Sequence, residues 1–393
     1  MKWSQYTMSG LPKMYYIANA RMPTEKAHGI QIAKMCEAFI EAGVGVELVV
    51  PRRGKETRTL GEFYGLRVDV SMTRLWTPDW YGSRIGFAAS SFLFALRYFL
   101  HLARRHYIAR ERFIIYTTDL DQFSFFPIPF LGIPYFVEMH DAKKKKWPFR
   151  LLFWRARGGA CVNRIIQSEL NDVFNLQRET LLVLPNAVDL SAFGDASEDQ
   201  IAARDALGIP HGALVIMYVG QMYGWKGIEI LPIVARRMPR HYFYIVGGTA
   251  EEMRAIGAMD EQPSNLVCVG YKPFQEIPRW LRAANILVAT GTSKDPYSYL
   301  HTSPMKLFEY AAARRPIIAA QTPAISEIFA QRGGLGVFFY DPDDSEDLER
   351  AINAVLIDKD GAVERTEIAL DIIAQHQWKY RAERMIEFMK SRL

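Results

Sequence analysis

Several side chains in the second half of this 393-residue chain have the types and spacing to hold a phosphate and a sugar hydroxyl. In YVGQMYGWKG, residues 218–227, an apolar strand runs into a glycine-bearing turn, and Lys226 stands just ahead of a helix. Gly220 and Gly224 let the backbone come close to a ligand, and Lys226 reaches a phosphate as a point charge. In HTSPMKLFEYAAARRPIIAA, residues 301–320, Ser303 reads as an N-cap and Pro304 as the first helical residue. The N–H groups of that turn, with Lys306 beside them, form an anion site. Glu309 follows on the same helix, within reach of a ribose if a diphosphate sits at its start. Each feature also has an ordinary account, as a solvated lysine, a cap or a solvated glutamate.

Two further features are weaker. His140 ends the run GIPYFVEMHD, residues 132–141, and taken alone it reads as a satisfied histidine beside Asp141. Asp119-Leu120-Asp121 spells DxD, which suits either a metal bound to a diphosphate or a turn after a strand; the turn is the better reading. No GxGxxG follows a strand and no GxxxxGK[ST] occurs, which argues against a dehydrogenase and a P-loop NTPase.

The elements that must position these residues alternate short apolar strands with amphipathic helices, the pattern of parallel α/β layers. In the first half, strands are expected at 14–18, 46–50, 113–116 and 134–138, with helices at 30–42 and 86–107. The second half restarts the pattern, with strands at 215–220, 242–248, 265–270, 285–290 and 316–320. LPNAVDLSAF, residues 184–193, reads as the connection. The expectation is therefore two Rossmann-like domains, 1–185 and 186–371. A last helix, 372–393, crosses back to complete the first.

Length alone favours two domains. Residues 1–185 hold 26 Lys and Arg against 16 Asp and Glu, whereas residues 186–393 hold 22 against 27. The first half thus suits an anionic partner. Cys36, Cys161 and Cys268 are odd in number and have no metal-ligand spacing, as in a reducing compartment, so a cytoplasmic location is expected. MKWSQYTMSGLPK has no apolar core of a signal peptide. No segment is expected to span a bilayer; 123–137 is short and carries Pro127, Pro129 and Pro134.

Five runs in order resemble glycosyltransferase family 4, the retaining GT-B glycosyltransferases also described as glycosyl transferases group 1: KAHGIQIAKMCEAF (26–39), GIPYFVEMHD, VLPNAVDLSAF (183–193), GQMYGWKG and SPMKLFEYAAARRPIIA (303–319). The resemblance covers nearly the whole chain. It implies two domains facing across a cleft, and transfer of a sugar from a nucleoside-diphosphate donor with retention and without a metal. Gly29 would bring a backbone N–H near the diphosphate or acceptor, and His140 would contact the donor sugar. Lys226, with the N–H groups of Met305 and Lys306, would hold the diphosphate. Glu309 would hold the ribose, and Gly270 and Tyr271 would border the base. Two positions depart from the family pattern. His301 stands where a glutamate is usual, which bears on contacts to the donor sugar, and Gln221 stands where an arginine is usual.

Lys143, Lys144, Lys145 and Lys146 precede Trp147, Pro148, Phe149 and Arg150, a basic and aromatic run suited to an anionic membrane surface. The helix near 86–112, apolar on one side and arginine-bearing, is a second candidate. Nucleic acid would suit the charge, but no nucleic-acid motif accompanies it. The resulting expectation is a peripheral enzyme on the inner face of the plasma membrane, acting on a glycan or lipid-linked acceptor in polysaccharide or glycolipid synthesis. A sugar-nucleotide epimerase and a catalytically silent sugar-nucleotide-binding protein are the alternatives.

Overall fold

The structure, a computed structural model, describes residues 10–53, 58–80, 82–118, 121, 124–144, 146–194 and 200–393. Two compact units account for them, one of residues 1–184 and 378–393 and one of residues 185–377. The first unit holds strands β1 (Lys13–Ile17), β2 (Val46–Arg52), β3 (Ser71–Trp76), β4 (Phe113–Thr118), β5 (Tyr135–Met139), β6 (Gly158–Cys161) and β7 (Leu181–Val183). The second holds β8 (Val215–Val219), β9 (Tyr242–Val246), β10 (Leu266–Gly270), β11 (Ile286–Ala289), β12 (Ile317–Ala320) and β13 (Phe338–Tyr340).

Both sheets are parallel, in the orders β3-β2-β1-β4-β5-β6-β7 and β10-β9-β8-β11-β12-β13. Each is the Rossmann order, the first with one strand added. The order reverses between β1 and β4 and again between β8 and β11, and such switch points are where open α/β sheets bind ligands, at the carboxyl ends of the strands. Central strands buried on both faces are largely apolar, and every residue of β4 and β8 is buried.

Four strands lie outside the sequence-based expectation. β6 is GGAC, without an apolar run, because its glycines are steric requirements. A Cβ on Gly159 would stand 2.0 Å from the Val137 carbonyl oxygen, and one on Gly158 would stand 2.8 Å from the Phe388 ring. β3 is a half-polar edge strand, and β7 and β13 have three residues each.

The chain passes to the second unit after Leu184 and returns at Trp378, so the boundary expected at 371 moves. Ile372 and Ile373 are buried in the second core, and His376 packs edge-on to Phe308 with centroids 5.5 Å apart. The returning helix, Trp378–Lys390, packs on the helix Ala27–Glu41 and buries Arg381 with Ala382, Met385 and Met389.

Arg381 meets Glu138 of β5, and both are fully buried. Its Nη2 lies 2.7 Å from Glu138 Oε1 and its Nη1 lies 3.4 Å from Oε2. The same carboxylate accepts from Gln31 Nε2 at 2.7 Å, from Tyr116 Oη, and from His140 Nε2 at 2.8 Å. Burial opposes its charge, but Arg381 and His140 outweigh that and hold the carboxyl far below its usual range.

The candidate for a membrane span is corrected from 123–137 to another segment. The helical stretch Arg84–Ile108 has the length and composition of a membrane span: 25 residues with a mean hydropathy of 1.4 in its most apolar window. Between residues 85 and 103 only Arg97 is charged, so the arginines of this region sit mainly at the ends of the helix. One face is nonetheless part of the first core, with Phe94, Ala95, Tyr98 and Leu102 buried against the sheet.

Arg381→Met leaves Glu138 charged and buried, and should cost about 3–5 kcal/mol in chemical denaturation, with most of it recovered in Glu138→Gln/Arg381→Met. Because the folded pKa of Glu138 is depressed, its contribution is fully present above the unfolded value of about 4.3 and fades as pH falls below it. The deficit of Arg381→Met relative to the wild type should therefore shrink in acid.

Candidate functional site

In the second unit, glycines join the carboxyl ends of β8, β9 and β10, beside the switch point. Gly220 N–H donates to the Val246 carbonyl at 2.8 Å, Gly247 N–H to Gly270 at 2.9 Å, and Gly270 N–H to Gly248 at 3.0 Å. Gly247 has φ 112°, and a Cβ there would stand 2.7 Å from the Gly220 carbonyl oxygen, so only glycine allows this approach.

The helix Met305–Ala312 is aimed at this point by Tyr310. Its buried hydroxyl accepts from Val219 N–H at 2.8 Å, which fastens the helix to the end of β8. Pro304, not Ser303, occupies the N-cap position, and no side chain caps the helix. The role expected for Ser303 is thus corrected. Its hydroxyl accepts from Asn186 N–H at 3.0 Å while Asn186 Nδ2 donates to the Ser303 carbonyl at 2.6 Å, so it anchors the connecting segment instead. The first-turn N–H groups of Met305 and Lys306 have no side-chain acceptor supplied from the cap position, which suits an anion.

Lys306 and Lys226 come together around Gly220. Lys306 Nζ lies 3.7 Å from the Tyr218 ring centroid and 3.2 Å from where a Gly220 Cβ would be. Lys226 Nζ donates to the Gln221 carbonyl at 3.0 Å and lies over the Tyr223 and Trp225 rings. Burial holds the Lys226 ammonium down at about 8. Burial, and then repulsion from Lys226, hold Lys306 well below the usual lysine range. Burial raises Glu309 to about 7, partly offset by Lys306. A diphosphate placed here would favour both ammonium charges.

The other expected donor residues belong to the same unit. Gly270 adopts φ 78° at the end of β10, and Tyr271 beside it is exposed. Met305 is part-buried at the helix start, and His301 ends a π turn, Tyr297–His301, also part-buried. Gln221 uses its side chain to accept from Tyr223 Oη at 2.9 Å.

In the first unit, His140 follows β5 directly, with its Nε2 side held by Glu138. His28 lies in its electrostatic reach. Burial first, then Lys26 and His140, push its pKa down to about 4, so it is neutral at pH 7. Gly29 has a packing requirement of its own. Its N–H is engaged by the Lys26 carbonyl at 2.9 Å, and a Cβ would stand 2.4 Å from Tyr64 Oη, so the glycine serves helix packing. Asp119 and Leu120 lie outside the described residues. Asp121 accepts from Ser124 N–H at 2.7 Å, as a turn residue does. Lys144, Lys146, Trp147 and Arg150 are exposed, Lys143 is part-buried 3.4 Å from Asp141 Oδ2, and Lys145 lies outside the described residues.

Sequence reasoning missed Glu138, Arg381, His28, Gly247 and Tyr310. The carboxylate within the apolar run YFVEM was a readable sign that a buried partner exists. Arg381, 243 residues away, carried none.

Residues 213–358 match the family described as Glycosyl transferases group 1. The chain is similar to D-inositol 3-phosphate glycosyltransferase of Corynebacterium jeikeium (strain K411), with 26% identity over 215 residues, 51% of this chain and 49% of that protein. The chain spans about half the length of the curated relatives it matches. Among solved structures it is similar to Anabaena Alr3699/HepE in complex with UDP, with a TM-score of 0.72, 14% identity, and coverage of 96% of this chain and 100% of the other. That protein is also known in complex with UDP and glucose and with UDP-glucose. The apo form of the lipopolysaccharide outer core galactosyltransferase WaaB gives a TM-score of 0.65 at 14% identity, covering 97% and 100% of the two chains. The two Rossmann-like units are those of the GT-B fold, and the match to the glycosyl transferases group 1 domain falls within the second of them.

Proposed function

We propose that this protein is a retaining, metal-independent glycosyltransferase that moves a sugar from a nucleoside-diphosphate donor to a glycan or lipid-linked acceptor at the cytoplasmic side of a membrane. The observation that carries the reading is the pair of lysines at Gly220, whose charges are disfavoured by burial and favoured by a diphosphate. The group 1 domain spans these residues, and the UDP and UDP-glucose complexes of a protein of the same fold support a nucleotide-sugar donor.

In this reading Lys226, Lys306 and the first-turn N–H groups stabilise the diphosphate as the bond from its oxygen to the anomeric carbon breaks. Glu309 accepts from the ribose hydroxyls. The acceptor oxygen attacks from the face that the diphosphate leaves. Its proton passes to the departing phosphate oxygen as the new glycosidic bond forms. His140, oriented by Glu138, hydrogen-bonds the donor sugar.

Thermal unfolding with UDP, GDP, ADP, CMP and dTDP, each with and without EDTA, tests the donor site. One nucleoside diphosphate at a hundred times its Kd should add about 2.7 kcal/mol, unchanged by EDTA. A flat response to all of them counts against the reading. The affinity should fall by up to about tenfold per pH unit as pH rises above about 8, where Lys226 loses its proton in the free protein, and should weaken below about 7, where Glu309 becomes protonated. Lys226→Met should remove the loss above pH 8. His140→Ala should keep the nucleotide shift while release of nucleoside diphosphate from the sugar donor slows by roughly a hundredfold. Unchanged release would assign His140 no role in transfer.

A further inference from the structure

The outer face of the helix Arg84–Ala103 is apolar where a soluble surface would be polar. Ile85 is 84% exposed, Phe92 55%, Leu96 46% and Leu100 58%, and their spacing sets them in one stripe along the helix. The stripe continues onto neighbouring elements. Phe92 stacks on Phe126 with centroids 5.7 Å apart, and Phe126 meets Trp147 edge-on at 6.0 Å, at the start of the helix Trp147–Arg155. Toward β3, Arg97 lies over the half-exposed Trp76 ring. The surroundings are basic: Arg84, Arg104, Arg110, Lys144, Lys146 and Arg150 are exposed, and no Asp or Glu occurs from residue 80 to residue 110.

An apolar stripe with a one-sided positive rim matches the layers of an anionic bilayer, apolar chains beneath negative headgroups. Composition alone would equally allow this helix to cross the membrane, and its packing decides against that. Phe94, Tyr98 and Leu102 are fully buried in the same core as Tyr15, Ile17 and Phe113, and Tyr98 Oη donates to the Ser124 carbonyl at 2.6 Å. Drawing the helix into a bilayer would strip that core, whereas laying its outer face on a bilayer disturbs nothing.

We infer that the first unit docks on anionic membranes through the Ile85–Phe92–Leu96–Leu100 face, extended by Trp147. The helix lies in the interfacial plane, the aromatic rings sit at headgroup depth, and the arginines and lysines contact lipid phosphates. Lys144 and Lys146 contribute their charge at the edge of this face, while apolar burial supplies the depth. The inference deepens the proposed function by naming the surface on which a membrane acceptor is met. Vesicle binding is measured without nucleotide, so its failure leaves the donor reading untouched.

Sedimentation of the full chain with phosphatidylcholine vesicles, with and without phosphatidylglycerol, tests the inference. The protein should bind the anionic vesicles at low salt and release partly at high salt. Phe92→Asp/Leu96→Asp should weaken binding about tenfold or more with the melting temperature unchanged, since both positions are exposed. Arg104→Glu/Lys146→Glu should lose the preference for anionic lipid while keeping the residual apolar attachment. A wild-type protein that ignores anionic vesicles would overturn the inference, as would a Phe92→Asp/Leu96→Asp variant that binds like the wild type. Dimerisation in lipid-free buffer that Leu96→Asp abolishes, without vesicle binding, would overturn it in favour of a second copy of the chain.

Discussion

The carboxylate of Glu138 is out of reach of water, and an ionised group there persists only if other charges and donors replace its hydration. Arg381, Gln31, Tyr116 and His140 do so, and each belongs to a different part of the first unit: the returning helix, the helix Ala27–Glu41, β4 and the end of β5. Arg381 Nη2 also donates to the carbonyl of Leu184, the last residue before the chain leaves that unit. The point of departure and the returning helix are thus fixed by one guanidinium. A buried ion pair is weak evidence for net stability, since apolar residues of equal volume often do as well. What an apolar pair would not do is present a fixed acceptor to His140. The cluster is better understood as a device of position than of stability.

The second unit treats charge in the opposite way. Lys226 and Lys306 are part-buried, rest on aromatic rings and a carbonyl, and repel one another. Evolution toward stability alone would replace either with methionine or leucine at little cost to packing. The fold holds them by strong means, with Tyr310 tying the Lys306 helix to β8 and the glycines of β9 and β10 closing the strand ends beneath. Rigid support of an unfavourable charge pair is what a binding site for a polyanion requires, because the protein then bears the cost of assembling the charges before the ligand arrives. The same strain marks the pair as candidate chemistry without reference to any relative.

The local grammar of the chain was legible. Parallel strands buried on both faces are apolar runs, and nine of them stand out, including all the strands that flank the two switch points. The strands that stayed hidden lack that signature for physical reasons: β6 needs glycine because Val137 and Phe388 leave no room for a Cβ, and β3 is half solvated at an edge. Among site residues, Lys226 and Lys306 were readable because a glycine turn and a helix start are local. Ser303 was misread because its partner, Asn186, is 117 residues distant, and the rule for caps considers only neighbours in sequence. Gly29 makes a related point: a glycine required by packing and one placed for a ligand look alike in sequence, and the Tyr64 hydroxyl above it supplies the packing requirement.

The helix Arg84–Ala103 shows how composition and packing divide the work of interpretation. Its sequence has the mean hydropathy of a span, and a span must satisfy two conditions, an apolar circumference and freedom from the soluble core. The first nearly holds. The second fails at Phe94, Tyr98 and Leu102, which complete a core that the sheet cannot close without them. A helix apolar on both faces but anchored on one must find a second apolar surface for the other, and a protein partner or a lipid interface would serve. Arginines at both ends and the absence of any carboxylate from residue 80 to residue 110 favour the interface that carries negative charge everywhere along its plane. Docking on an anionic surface would also account for the excess of positive charge in the first half of the chain, set against the acidic second half.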